Sequence, residues 1–245
     1  SAVGVELSIT SNAVSIDRHI ELLKKTGVKT VNISLDTLSA ERFHDITFRN
    51  YFDKVYQNIL KLIDEGFKVK INAVLMRGVN DDEILDFIAF TKNHAVGFRF
   101  IEFMPFDGNQ WKREKTVSYQ EIMEQIKTAY SKDEIIRLQD APNDTAKNYT
   151  IKGHRGTFAI ISTVTNPFCD QCNRIRLTAN GQLKNCLFSQ KENDLLTALR
   201  NQEDIEPIIR KNISSKFAVR SGMEGPEFED PKKHQQNRSM ITIGG

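Results

Sequence analysis

Val28-Lys29-Thr30-Val31-Asn32-Ile33-Ser34-Leu35 is a run of β-branched and apolar residues that ends in Asp36. Its composition predicts a strand. Downstream, Phe52, Val55, Ile59 and Leu62-Ile63 recur on one face of a helix that Gly66 closes. Residues 67–75 then read as another strand. Asn80 and Glu83 have the spacing of a capping box ahead of a helical stripe of Ile84, Phe87, Ile88 and Thr91. Residues 97–103 (GFRFIEF) form the next strand, whose alternation sends Arg99 to the face opposite Phe98 and Phe100. Upstream, residues 5–10 are a short strand with a Ser11-Asn12 turn behind it. Ile16, Ile20 and Leu23 mark a helix over 16–25 that stops at Gly27. Strand and helix alternate at the spacing of βα units. That predicts an α/β protein with a parallel sheet and helical crossovers.

The rhythm changes after Pro105, so two domains are expected, residues 1–105 and 106–245. Residues 106–115 read as a polar loop carrying the single tryptophan, Trp111. Ser118 and Glu121 make a second capping box, followed by Ile122, Ile126 and Ala129 on one helical face. Residues 131–144 look like an irregular connector. Short strands are expected at 149–151, 157–162, 174–178 and 182–186, the last two joined at Asn180-Gly181, a strong hairpin signal. Leu195, Leu196 and Leu199, then Ile205, Ile208 and Ile209, suggest two short helices. Glycine and charge dominate 221–237, which reads as a mobile tail.

All three cysteines of the chain stand in this second part: Cys169 and Cys172 in C-x-x-C spacing, and Cys186 beyond the hairpin. The hairpin returns Cys186 alongside the strand that leaves Cys172, as a shared metal requires. Structural zinc takes four ligands, so His154 or His234 would have to complete such a site. Three thiolates without a fourth cysteine also suit an iron–sulfur cluster with one iron open to an outside ligand. The spacing favours the cluster and leaves zinc open. Arg174 and Arg176 follow at alternate positions, which in a strand share a face. Paired guanidinium groups suit an anion, phosphate above all.

With 245 residues and 39% hydrophobic content the chain is long enough for a substantial core and ordinary for a globular protein. A net charge of +2 gives no argument for nucleic acid, and no apolar run approaches a membrane span. Reduced cysteines point to the cytosol or the mitochondrial matrix. The absence of an initial methionine suggests part of a longer chain.

Several stretches together resemble the GTP 3′,8-cyclase family of molybdenum-cofactor biosynthesis. They are Asn32-Ile33-Ser34-Leu35-Asp36-Thr37-Leu38, Met76-Arg77-Gly78-Val79-Asn80-Asp81-Asp82-Glu83, residues 98–109 (FRFIEFMPFDGN), residues 168–177 and 183–188, and the terminal Gly244-Gly245. The resemblance implies a radical S-adenosylmethionine enzyme. Its fold would be a partial TIM-type βα barrel followed by an α+β region carrying an iron–sulfur cluster. It assigns Cys169, Cys172 and Cys186 to a second 4Fe–4S cluster that offers its open iron to GTP. Arg174, Ile175 and Arg176, with Thr10, Lys70 and Arg99, fall to GTP, and Ser34 and Met104 to S-adenosylmethionine. Gly244 and Gly245 would be a tail threading the site. Thr10, Ser34, Lys70 and Arg99 lie in or at the end of predicted strands, whose carboxyl ends carry the sites of βα enzymes. The expected partners are GTP, S-adenosylmethionine, the cyclic pyranopterin monophosphate synthase that takes the product, and in a homodimer a second copy. Neither nucleic acid nor membrane is among them.

The chain departs from the family pattern in two places. It has no C-x-x-x-C-x-x-C loop for the cluster that cleaves S-adenosylmethionine, so this chain alone is expected to be inactive. Thr10-Ser11-Asn12-Ala13 replaces the commoner T-T-N-G and puts alanine where the turn usually has glycine. The alternative to a cyclase part is a non-catalytic, metal-stabilised GTP-binding module or truncated isoform.

Overall fold

The computed structural model describes residues 4–235 and 237–240. The chain divides into two units. The first holds residues through Phe103, Thr116–Ala141 and Ala146–Thr165; the second holds Met104–Lys115, Pro142–Thr145 and the chain from Asn166 onward. The chain first leaves the first unit after Phe103 and returns to it at Thr116.

In the first unit the predicted alternation appears as β1 (Ser8–Ser11), α1 (Ile20–Lys25), β2 (Thr30–Ser34), α2 (Ala40–Thr47), α3 (Phe52–Asp64), β3 (Lys68–Leu75), α4 (Ile84–Asn93) and β4 (Val96–Glu102). Then come α5 (Tyr119–Ala129), β5 (Ile135–Arg137), β6 (Lys147–Ile151) and β7 (Thr157–Ile161). Among the described residues the sheet has seven strands in the order β1-β2-β3-β4-β7-β6-β5. Neighbours from β1 to β7 run parallel, and β6 and β5 add antiparallel. The architecture is the expected α/β one with a largely parallel sheet.

Alternation along the strands sets the core. β4 buries Val96, Phe98 and Phe100 while Gly97, Arg99 and Ile101 stay half-buried. β3 does the same with Val69, Ile71, Ala73 and Leu75. The buried face meets Val55, Ile59 and Leu62 of α3, Phe87 and Ile88 of α4, and Ile122 and Ile126 of α5 in one cluster. Each such side chain contributes about 1.5–3 kcal/mol on burial.

Three local expectations differ from the structure. The helix over 16–25 is split: a 3-10 turn at Ile16–Arg18 precedes α1, and His19 between them has φ −116° and ψ 2°. Asn80 caps nothing, because its side chain is drawn into the sheet. Its Oδ1 accepts from the Met76 N–H at 2.8 Å, and its Nδ2 donates to the Asp36 and Val74 carbonyls at 2.7 and 3.0 Å. Glu83 instead accepts from Thr37 Oγ1 and the Leu38 N–H, each at 2.6 Å, and pairs with Arg42. The connector over 131–144 contains the edge strand β5. By contrast, the Ser118–Glu121 capping box is formed as read. Ala13 keeps a left-handed backbone, φ +59°, despite its Cβ, and its carbonyl accepts from Asn58 Nδ2 at 2.7 Å.

In the second unit, β8 (Arg176–Leu177), β9 (Gln182–Lys184) and β10 (Asn193–Asp194) form a small antiparallel sheet. The Asn180-Gly181 turn closes the β8–β9 hairpin as predicted. Gly181 has φ +77°, and a Cβ there would lie 2.3 Å from Leu196 Cβ, so glycine is required on both counts. The two predicted helices are α6 (Leu195–Arg200) and α7 (Glu206–Ser214).

The reading of 221–237 as a mobile tail is corrected. The segment contains α8 (Pro226–Glu229) and α9 (Pro231–His234). Phe228, 1% exposed, packs against Phe188, His234 and Trp111 with ring centroids 4.9, 5.3 and 6.4 Å away. One buried aromatic anchors a stretch whose composition is otherwise polar. Beyond it, Arg238 forks onto Glu192 at 2.6 and 2.7 Å and Asn237 Oδ1 accepts from Lys184 Nζ at 2.7 Å. The 106–115 loop is likewise not wholly polar, since Trp111 is 4% exposed. Gly244 and Gly245 lie outside the described residues.

Candidate functional site

The register of the parallel strands assembles one face of the first sheet. Thr10 pairs with Asn32, Asn32 with Lys70 and Lys70 with Gly97; one step on, Ser34 pairs with Asn72 and Asn72 with Arg99. Residues paired in register in a parallel sheet project to the same side, and alternate residues along a strand share that side. Thr10, Ser34, Lys70 and Arg99 therefore occupy adjacent rows of one face, the one turned away from the apolar core. Thr10 and Ser34 are exposed and Lys70 and Arg99 half-buried. The stagger of the strands brings them level, for Lys70 and Arg99 stand within their strands rather than at the carboxyl ends.

Residues that sequence reasoning passed over complete this face. Asn32 Oδ1 accepts from Arg99 Nη1 at 3.1 Å, and Asn32 Nδ2 donates to the Ile9 carbonyl at 3.1 Å, which holds both side chains in place. Asn72 lies between Ser34 and Arg99, and among the described residues its buried Oδ1 finds no hydrogen-bond partner. Gly97 keeps the row open: a Cβ there would lie 3.2 Å from Thr157 Oγ1 and 3.8 Å from Lys70 Cγ. Alternation from Ser34 and Lys70 was the available signal for Asn32 and Asn72. Just past β2, the Asp36 carboxyl is pushed up by burial, partly opposed by the Val74 N–H that donates to it at 2.8 Å.

The other candidates belong to the second unit. Met104 is half-buried, and its carbonyl accepts from Asn109 Nδ2 at 2.7 Å. Cys169, Cys172 and Cys186 are free thiols of intermediate exposure, the first in a 3-10 turn, Cys169–Gln171. Burial pushes the Cys172 thiol up, but the Arg174 backbone N–H and the Lys216 ammonium outweigh it and hold the thiol below its usual range. Burial pushes the Cys186 thiol up, and the charges of Cys169 and Cys172 add to the rise. Among the described residues no three histidine, cysteine or acidic groups gather tightly enough to ligate a single metal ion.

Each histidine considered as a fourth ligand has one ring nitrogen engaged elsewhere. His234 Nε2 meets the Phe228 carbonyl at 2.7 Å, and His154 Nδ1 meets Thr91 Oγ1 at 2.9 Å.

The arginine pair differs from its expected geometry, because β8 begins at Arg176 and Arg174 precedes the strand. Arg174 is exposed, with Nη1 donating to the Asn143 carbonyl at 3.2 Å, while Arg176 is half-buried opposite Lys184. Ile175 between them is 49% exposed. Strand alternation therefore does not place the two guanidinium groups on one face.

Two family models together match most of the chain. Residues 1–91 match the Radical SAM superfamily and residues 96–221 match Molybdenum Cofactor Synthesis C. The class is that of radical S-adenosylmethionine proteins with a molybdenum-cofactor C-terminal region. Among relatives, the mitochondrial GTP 3′,8-cyclase of Arabidopsis thaliana is 43% identical over 98% of this chain and 60% of its own length. The GTP 3′,8-cyclase of Alkaliphilus oremlandii is 36% identical over 98% of this chain and 72% of its own length. Molybdenum cofactor biosynthesis protein 1 of Homo sapiens is 38% identical over 97% of this chain, which spans 37% of that protein. The chain belongs to the GTP 3′,8-cyclase family.

Proposed function

We propose that this chain is the substrate-binding part of an enzyme that converts GTP to 3′,8-cyclo-7,8-dihydro-GTP for molybdenum-cofactor synthesis. In this reading its sheet is the later part of an incomplete βα barrel, completed by residues of the kind that extend the relatives beyond the matched stretch. Bound S-adenosylmethionine with its own cluster supplies the 5′-deoxyadenosyl radical that starts the conversion. The three cysteines here are all taken by a second 4Fe–4S cluster, so the ligands of the radical-forming cluster must come from another segment.

The observation that carries the reading is the polar sheet face on which register aligns Thr10, Ser34, Lys70 and Arg99. On the sheet face, Lys70 and Arg99 are assigned to phosphate by charge and Thr10 to a donor at the sheet edge; in the second unit, Arg174 and Arg176 are likewise assigned to phosphate and Ile175 to the nucleotide. Ser34 and Met104 contact S-adenosylmethionine. The orphaned Asn72 Oδ1 suits a hydroxyl or ammonium donor from a ligand on that face. These residues act by position and electrostatics rather than by breaking bonds.

The donor set fits the cluster. Three free cysteines suit a cubane with one iron open to an outside ligand, whereas structural zinc takes four protein ligands. The compartment is the mitochondrial matrix or cytosol, the product passes to cyclic pyranopterin monophosphate synthase, and a homodimer is compatible with this scheme. Among the described residues no helix is long and apolar enough to cross a membrane.

Anaerobic reconstitution tests the assignment. The chain should turn brown with about four irons per chain, and Cys172→Ala should abolish the colour. A colourless protein holding one stoichiometric zinc overturns the cluster.

A further inference from the structure

The segment after α7 lies on the cysteine loop, and one of its lysines is fully committed there. Lys216 Nζ donates to the Cys172 carbonyl at 2.8 Å, to the Arg174 carbonyl at 3.0 Å and to Cys172 Sγ at 3.3 Å. An ammonium has three N–H donors, and these three acceptors use them all. Four residues on, the Arg220 N–H donates to Cys169 Sγ at 3.4 Å. One short segment therefore gives hydrogen bonds to two of the three thiols. Sequence inspection offers no hint of this, because Lys216 stands far from the cysteine motif in the chain.

The geometry has two consequences. The two carbonyls that Lys216 grips flank Asn173, so the lysine ties down the segment between the cysteine pair and the first of the arginines. Its positive charge also sits in contact with a sulfur. A cation and N–H donors at the sulfurs favour the more negative, reduced state of an iron–sulfur centre and raise its potential. A solvated lysine would show neither feature, and this one is half-buried with its carbonyl bonds well formed.

We propose that Lys216 is a positioning residue of the second cluster: it sets the cluster's reduction potential through Cys172 and fixes the segment that carries Arg174 toward nucleotide. The inference rests on the cluster reading given above. Arginine at 216 would keep the charge beside Cys172. Methionine keeps the apolar stem and loses both the charge and the donors.

The test uses anaerobically reconstituted chain in three forms: wild type, Lys216→Met and Lys216→Arg. Iron per chain, the midpoint potential by dye-mediated titration and the dissociation constant for GTP are measured on each. Lys216→Met should shift the reduction equilibrium about tenfold toward the oxidised cluster, about 59 mV lower for a one-electron couple. It should weaken GTP by a similar factor. Lys216→Arg should stay within about threefold of wild type in the reduction equilibrium, since its charge remains. A Lys216→Met midpoint and GTP affinity equal to wild type overturn the proposal. Equal midpoint shifts in both variants, or loss of iron from both, overturn it as well, because charge would then not be the deciding property. Colourless wild-type protein would instead defeat the cluster reading itself, which separates the two failures.

Discussion

Replacing Asn80 with alanine should cost the first unit about 3–5 kcal/mol. The side chain is 0% exposed and makes three hydrogen bonds, one accepted from Met76 and two donated to Asp36 and Val74. These tie the ends of β2 and β3 to the turn that starts the next helix. A net intramolecular hydrogen bond is worth about 1 kcal/mol, and leaving a buried partner unsatisfied costs about 1–3 kcal/mol. Three lost bonds give about 3 kcal/mol as the lower figure. The Met76 N–H, which has a single proton to place, adds the most beyond it. Against about 5–15 kcal/mol of total stability for a typical domain the loss is large. Asn80→Asp should be no milder, since it retains only the acceptor and sets a carboxylate against two carbonyls. Urea unfolding followed by far-UV circular dichroism measures the difference, and hydrogen exchange at the Met76 amide localises it. A midpoint for Asn80→Ala within about 0.5 kcal/mol of wild type, at unchanged slope, would refute the cross-linking role.

Three more outcomes are expected. Arg174→Lys or Arg176→Lys should weaken GTP about tenfold while leaving guanosine little changed, because lysine lacks the planar fork; isothermal titration giving equal losses for both ligands would remove phosphate as their target. Ala13→Gly should stabilise the chain by up to about 1 kcal/mol, since φ +59° strains any residue with a Cβ; a lower melting temperature would mean that the buried methyl outweighs the strain. The chain alone should yield no 5′-deoxyadenosine from S-adenosylmethionine under reducing anaerobic conditions, because the proposed second cluster uses all three of its cysteines; robust formation, assayed by chromatography, would force that cluster to do the radical chemistry itself.

Local signals carried the sequence reading. Period and caps act within a few residues, so the strands from β1 to β4 and helices α3 and α4 were legible, as were the Ser118–Glu121 box and the Gly181 turn. Arg99 was rightly placed opposite Phe98 and Phe100 by alternation alone. Helix α2 escaped because it buries only Phe43 and so shows no apolar stripe. The edge strand β5 escaped because Ile136 faces solvent at 42% exposure.

Tertiary structure decided the rest. Asn80 and Glu83 carry the letters of a capping box, yet their side chains answer to Asp36, Val74, Thr37 and Leu38, which only the folded sheet brings near. A buried polar group goes where its whole bonding capacity is met, and a helix end offers less of that than the gap between two strands. Cross-strand register likewise set Thr10, Asn32 and Lys70 level, which no spacing along the chain encodes. Phe228 turned a polar segment into packed structure because an aromatic ring needs only one receptive pocket, and the pocket is built from Phe188, Trp111 and His234. The sequence by itself determined which elements form and which thiols and cations stand near one another along the chain. Which side chains meet, as Lys216 meets Cys172, was decided by packing, because hydrogen bonds between distant residues exist only once the entropy of bringing them together has been overcome.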